Sequence, residues 1–148
     1  MAVHRRQAAR EAIGTALTGL TTTSSRVFQS RVYPLETTDL PGLLVYTGGE
    51  TITVSTIHGP AVLERTLAVR VVGVAKAIAD LDDTLDLIVK EIEIAIAGMS
   101  VTGIASSITL TGIDEPELSG SSDRPTGQVT MNFDVSYYTT ASAPDVAL

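Results

Sequence analysis

The sequence lacks cysteine and tryptophan and has only two histidines. Without cysteine there is no disulfide, no thiolate nucleophile and no thiolate-ligated metal. His4 and His58 are far apart, and neither belongs to a zinc-binding His motif, so no zinc site is expected. No apolar run approaches the roughly 20 residues of a membrane span, so we predict no membrane partner.

Reactive motifs are also missing. The chain has no Gly-x-Ser-x-Gly elbow, and its adjacent glycines, Gly48 and Gly49, join two strand-like runs rather than a strand and a helix, which excludes a phosphate loop. Asp114, Glu115 and Glu117 lack the spacing of a known calcium loop. We therefore predict a protein that is not an enzyme, with no catalytic, cofactor-binding or metal-binding residues.

The composition is that of a folded domain. The chain has 148 residues, of which 44% are hydrophobic and 18% charged, enough to bury a real core. We expect a single domain over residues 1–140 and a flexible C-terminal tail over residues 141–148, where no pattern is visible. We also expect the protein to stay in the cytoplasm of the cell that makes it, because residues 1–20 do not read as a signal peptide.

Charge is distributed unevenly along the chain. The net charge is −7, yet residues 1–35 contain five arginines and one glutamate and so carry +4, which leaves −11 for the rest. One explanation is chance clustering on a solvated surface. The other is complementarity, in which the basic end of one copy, with Arg5, Arg6 and Arg10, meets an acidic face of the next. Direct reading of nucleic acid is disfavoured by the negative charge.

Residues 63–99 organise the chain as one strand followed by one helix. Alternation of Leu67, Val69 and Val71 with polar residues predicts a half-buried strand. The helix is predicted by apolar residues at every third or fourth position. They are Leu81, Leu85, Ile88, Ile92, Ile96 and Met99. Aspartates 80, 82, 83 and 86 are expected to cap its start rather than to hold a cation, and Gly98 or Gly103 to end it.

The remaining elements surround this pair. We predict a helix over 4–20, a strand over 26–33, a hairpin turning at Gly48-Gly49, a turn at residues 58–60, strands over 107–113 and 128–137, and a polar loop over 114–127. Short links between consecutive strands favour antiparallel pairing. The predicted fold is α+β, a mostly antiparallel sheet with two α-helices packed on one face.

Three segments carry a family resemblance. They are the opening HRRQAAREAIGTALTGL…SRVF…RVYPL, the segment LPGLLVYTGGE at 40–50, and the closing MNFDVSYYT at 131–139. Together they resemble the first helix and strand, the proline-led hairpin and the last strand of the tail terminator proteins of long-tailed bacteriophages, the family of the lambda minor tail protein U. The order of elements matches over nearly the whole chain.

The resemblance implies a structural virion protein. Such proteins form a ring, usually a hexamer, on the head-proximal end of the tail tube, stop its polymerisation and present a surface to the head–tail connector, while DNA passes through the lumen. The predicted interface residues are Arg5, Arg6 and Arg10 against a neighbouring copy, and the loop residues Asp114, Glu115, Glu117, Asp123 and Arg124 against the tail tube protein or the connector. The virion would be assembled in the host cytoplasm.

Two alternatives remain open. One is another virion part, a head–tail joining or tail tube protein. The other is a small-molecule enzyme or binding domain with a pocket between sheet and helices. That pocket would need converging polar groups on the core faces of the strands, where the sequence shows almost none.

Overall fold

The helices and strands follow one another in an order close to the predicted one. A computed structural model describes residues 2–29, 35–77, 79–121 and 124–148. The elements are α1 (Arg5–Ala16), β1 (Val27–Gln29), a 3-10 turn (Thr37–Asp39), β2 (Gly42–Thr56), β3 (Val62–Lys76), α2 (Leu81–Gly98), β4 (Ser107–Ile113), β5 (Glu117–Ser121) and β6 (Arg124–Thr140). The predicted α+β class is confirmed.

The strands form one sheet in the order β1-β2-β3-β6-β4, and β5 pairs with the first residues of β6. All pairs are antiparallel except β1–β2, which is parallel. The antiparallel expectation is therefore wrong for β1 and β2. The 12 residues between Gln29 and Gly42 give the chain room to return to the same end of the sheet, which a tight hairpin does not allow.

The core lies between the sheet and both helices. α1 packs over β1 and β2, and α2 packs over β3, β6 and β4. β2, β3 and β6 contribute alternate residues to this inner face, because successive side chains point to opposite faces of a sheet. The largest fully buried side chains are Tyr137, Phe133, Ile13, Leu17, Leu43, Leu67, Leu85, Ile88, Ile92 and Met131.

Helix α2 follows its apolar stripe closely. Leu85, Ile88, Ile92 and Ile96 are buried, and the last helical residue is Gly98, as predicted. The capping expectation is wrong for Asp80, whose side chain caps no backbone N–H. Asp82 and Asp83 lie in the first turn, where their negative charge stabilises the helix by its interaction with the positive end of the helix dipole.

Helix α1 is shorter than predicted and ends at Ala16 rather than residue 20. It begins after His4, whose Nδ1 accepts a hydrogen bond from the Arg6 N–H at 3.0 Å. The predicted strand over 26–33 is present as β1 (Val27–Gln29), while residues 30–34 lie outside the described residues.

The hairpin predicted at Gly48-Gly49 is wrong. Both glycines lie inside β2 and form a bulge, since Thr47 pairs with Val69 and Glu50 with Leu67, which leaves two residues opposite Ala68. The strand continues to Thr56 and turns at residues 57–61, through the predicted turn, where Gly59 has a φ of +69°. Two adjacent glycines between strand-like runs are typical of both a bulge and a tight turn. Here β3 is long enough to pair with β2 on both sides of the glycines, which makes them a bulge.

The loop predicted over 114–127 is also wrong in most of its length. Within it, β5 pairs with the start of β6 as a hairpin. Glu117 and Leu118 are consecutive and both exposed, so the start of the strand lacks the period of two on which the sequence prediction depended. Residues 122 and 123 lie outside the described residues.

The last eight residues contact the domain. The Arg5 N–H donates to the Pro144 carbonyl at 3.1 Å, and the Leu148 N–H donates to the Tyr138 carbonyl at 2.9 Å. The division into a domain over 1–140 and a flexible tail stays a prediction.

Candidate assembly surfaces and a buried polar network

Four polar side chains meet on the inner face of the sheet beyond the bulge. Arg65 Nη1 lies 3.3 Å from Glu50 Oε2, and Arg65 Nε donates to Thr139 Oγ1 at 2.9 Å. The Tyr137 hydroxyl donates to the other oxygen of Glu50. The side chains of Arg65 and Glu50 are only 8% and 5% exposed, so this is a buried ion pair with added hydrogen bonds.

The bulge places Glu50 there. Because Gly48 and Gly49 together oppose one residue, the parity of β2 shifts, and Glu50 pairs with the inner-facing Leu67. Sequence reasoning missed the network, and its statement that the core faces hold almost no converging polar groups is wrong here. The signal was present in Arg65 and Tyr137, which share the parity of the buried residues of their strands.

The network keeps the Tyr137 phenol protonated. Burial, followed by the hydrogen bond to Glu50, raises the pKa of the Tyr137 phenol far above its ordinary value of 10.0. The phenol therefore remains a hydrogen-bond donor throughout the neutral range. Glu50 accepts from both Tyr137 and Arg65, so its charge is compensated inside the protein.

The three predicted arginines bind uncharged oxygens of their own chain. Arg5 donates to the Gly103 carbonyl, Arg6 donates to the Gly48 carbonyl at 2.9 Å, and Arg10 Nε donates to Gln29 Oε1 at 3.2 Å. Within the described ranges none of these arginines forms a salt bridge. Their positive charges are therefore not neutralised by a carboxylate there.

The predicted acidic residues lie near β4 and β5, at the edge of the sheet opposite to β1. Asp114 follows β4, and its Oδ1 accepts from Asn132 Nδ2 at 3.0 Å, while Glu115 and Glu117 are exposed. Arg124 begins β6 and pairs with Ser121 of β5, and Asp123 lies outside the described residues. Helix α1 packs over β1 and β2, so the fold does not bring the basic and acidic groups of one chain together.

A shallow groove of about 280 Å³ runs between α2 and β4. It is lined by Glu93, Ile96, Ala97, Ile108, Leu110 and Phe133. Glu93 is its single ionisable side chain, which leaves no acid–base pair or nucleophile with a base in this groove. This groove therefore does not support the alternative of a small-molecule enzyme.

Metal and membrane sites find no support in the described part of the chain. No group of three or more histidines and carboxylates there is placed to hold a metal ion. His58 lies exposed in the turn between β2 and β3, and His4 caps α1. No helix among the described residues is long and apolar enough to cross a bilayer.

Exposed apolar side chains cluster at the end of β2 and just after it. We call residues 51–57 the arm. The arm is exposed along its whole length, with Ile52 49%, Val54 54% and Ile57 81% accessible. Neither helix covers it, and the arm contains no charged residue and no proline. A bare apolar strand of this kind marks an interaction site or an aggregation hazard.

Comparison with known proteins identifies no family. No protein-family model and no curated protein matches the chain. One solved structure that it resembles belongs to the "Virion of native gene transfer agent (GTA) particle", with 14% identity and a TM-score of 0.47 over 93% of this chain and 92% of that chain.

Proposed function

We propose that this protein is a structural component of a bacteriophage-like virion, which assembles with copies of itself into a ring and ends the tail tube at the head-proximal side. The observation that carries the proposal is the uncovered arm. Its side chains Ile52, Val54 and Ile57 are 49%, 54% and 81% accessible, and exposed apolar surface on a strand edge of this kind is typical of a protein interaction site.

The distribution of charge supports contact between copies. Arg6 and Arg10 lie on the helix over β1 and β2, and Asp114, Glu115 and Glu117 lie beside β4 and β5. A basic surface and an acidic surface on opposite sides of one molecule favour a head-to-tail arrangement, which closes into a ring when the rotation between copies allows it.

The sequence resemblance supplies the specific role. The opening, middle and closing segments resemble those of tail terminators, and the polar network buried beside the middle one is structural rather than reactive. In this proposal the β5–β6 hairpin, with Glu115 and Glu117, faces the tail tube protein or the connector. DNA passes the ring without a base-specific contact, as suits a chain of net charge −7.

The test is the mass and shape of the purified protein. We expect light scattering to give a discrete oligomer and electron microscopy to give single rings. Since the contact is partly electrostatic, raising the salt from about 0.1 M to about 1 M should reduce the oligomer. Long cylinders would favour a tail tube protein instead, and a monomer under all conditions would overturn the proposal.

A charge-reversal variant sharpens the test. Arg6→Glu with Arg10→Glu should shift the oligomer towards monomer at a salt concentration where the wild type is assembled. Lys90→Glu on the exposed side of α2 makes the same type of change away from this surface and serves as control. Circular dichroism should show that both variants fold. If the double variant assembles like the control, the basic surface is not a contact.

A further inference from the structure

We infer that the arm of one copy pairs, as an antiparallel strand, with the outer edge of β4 in the next copy. The inference rests on the proposed self-assembly, since it names the surface that performs it. It stands on four features of the sheet, which are its two free edges, their directions, the faces of their side chains and their lack of charge.

Both edges are free within the described residues. β1 (Val27–Gln29) pairs with Leu43, Leu44 and Val45, and no described strand pairs with the outer edge of β2 along the arm. On the opposite side, β4 pairs with β6 and with no other described strand. Unpaired N–H and C=O groups of this kind are templates for a further strand.

The directions of the two edges are compatible. Antiparallel pairing links β2 to β3, β3 to β6 and β6 to β4, so β2 and β4 run in opposite directions in one molecule. A second copy placed beside the first in the same orientation therefore brings its β2 antiparallel to β4 of the first. Because the two edges differ, the contact is heterologous, as a ring requires.

The faces of the side chains also agree. Ile52 and Val54 pair with Arg65 and Leu63, which puts them on the side of the sheet that the helices cover. On β4, Ile108 and Leu110 pair with Val135 and Phe133 on that same side. Residues opposite each other in an antiparallel pair share a face.

One register matches residues 52–54 of the arm with β4 in both face and polarity. With Thr53 opposite Thr109, Ile52 lies opposite Leu110 and Val54 opposite Ile108. The threonines then form a pair on the other face, where cross-strand threonines stabilise sheets. Ile52 and Val54 would extend the apolar wall of the groove between α2 and β4, which Ile108 and Leu110 already line.

Neither edge is protected against pairing. Residues 51–57 and 107–113 contain no Lys, Arg, Asp, Glu or Pro, the residues that soluble proteins place on edge strands to block association. The partner that we infer for the arm is thus a second copy of this chain, whose β4 edge matches the arm in direction, face and polarity.

Paired cysteines test the contact, because the natural chain has none. Thr53→Cys combined with Thr109→Cys should form disulfides between copies under mild oxidation, since opposed residues meet the geometry of a disulfide. Within one chain the two positions are three strand spacings apart, about 14 Å, too far to bridge. Thr53→Cys with Ser107→Cys examines the neighbouring register, and Thr53→Cys with Thr102→Cys is the matched control off the edge.

A ladder of cross-linked species on a non-reducing gel from one of the edge pairs, with none from the control, would support the inference. Oligomers by light scattering without cross-links in either register would overturn the edge contact and leave the ring proposal standing. A protein that is monomeric by light scattering would overturn both.

Charge substitution gives a readout independent of disulfides. Thr53→Lys should cause loss of the assembly, and adding Thr109→Glu in the same chain should restore it by pairing across the contact. Thr102→Lys is the control for an exposed threonine elsewhere. If Thr53→Lys assembles like the wild type, or if Thr109→Glu fails to restore assembly, the proposed pairing is wrong.

Discussion

The two halves of the β2–β3 pair have the same alternating pattern but opposite surroundings. Before the bulge, Leu43 and Val45 are fully buried beneath the helices. Beyond it, Ile52 and Val54 occupy the same face of the sheet and are about half exposed. The difference teaches that a period of two predicts a strand and its faces, while the position of the helices decides which part of a face is covered.

The junction between the halves is where the polar network lies. Glu50 and Arg65 form an ion pair there that is nearly inaccessible to water. Tyr137 donates a hydrogen bond to Glu50, and Thr139 accepts one from Arg65. Removing one partner of a buried pair leaves the other charge uncompensated.

The largest effect is therefore expected from breaking this junction. Glu50→Leu should lower the free energy of unfolding by about 3–5 kcal/mol, because Arg65 would remain buried without its carboxylate. Glu50→Leu with Arg65→Met should cost less than the single change. Urea unfolding measures both, and Glu64→Leu at an exposed site on β3 is the control. A double variant with a lower free energy of unfolding than Glu50→Leu alone would contradict the description of Glu50 and Arg65 as a buried ion pair.

A matched valine pair compares the two halves directly. Val45→Ala should cost about 2 kcal/mol, because it removes two buried methyl groups and leaves a cavity. Val54→Ala, on the same strand but 54% exposed, should change the free energy of unfolding by no more than about 0.5 kcal/mol at low protein concentration. Equal losses in urea unfolding would mean that the arm is covered within the single chain.

Alkaline pH should affect the junction but not the arm. The raised pKa of Tyr137 means that the unfolded chain loses this proton first, at its ordinary pKa of 10.0. The contribution to stability is thus constant below pH 10 and falls above it, by up to about 1.4 kcal/mol per pH unit. Unfolding at pH 8 to 11 measures this decline. Tyr137→Phe should abolish that part of it, and an unchanged pH profile in this variant would contradict the assignment.

A small stabilising effect is expected at the second glycine of the bulge. A Cβ on Gly49 would contact nothing within 4 Å, and the residue has no positive φ. Gly49→Ala should therefore stabilise the protein by about 0.4–1 kcal/mol through the lower entropy of the unfolded chain. Gly59→Ala, in the turn at a φ of +69°, should destabilise it. Thermal unfolding of the two variants should move in opposite directions.

Periodicity alone was enough for some elements. It predicted α2 within one residue at each end, and it predicted β4 as observed, because in both cases a single pattern covers the whole element. It failed where two structures share one pattern, as at Gly48-Gly49, and where consecutive strand residues are both exposed, as at Glu117 and Leu118.

The candidate surfaces divide in the same way. Local composition indicated the basic residues Arg5, Arg6 and Arg10, but it gave no information on their bonds to Gly103, Gly48 and Gln29, which depend on tertiary distance. The Glu50 network was missed because the bulge changes the parity of β2 midway. The two edges that have no partner among the described strands follow from strand order, which alternation does not encode.

The uncharged composition of the arm has a consequence for the protein before it meets a partner. Seven consecutive residues without charge or proline, most of them of high β-propensity, are typical of segments that stack into amyloid-like fibrils. In the proposed assembly, docking of the arm on a second copy competes with this irreversible stacking. Overproduction of the protein should therefore favour insoluble deposits, and one lysine within the arm should slow their formation.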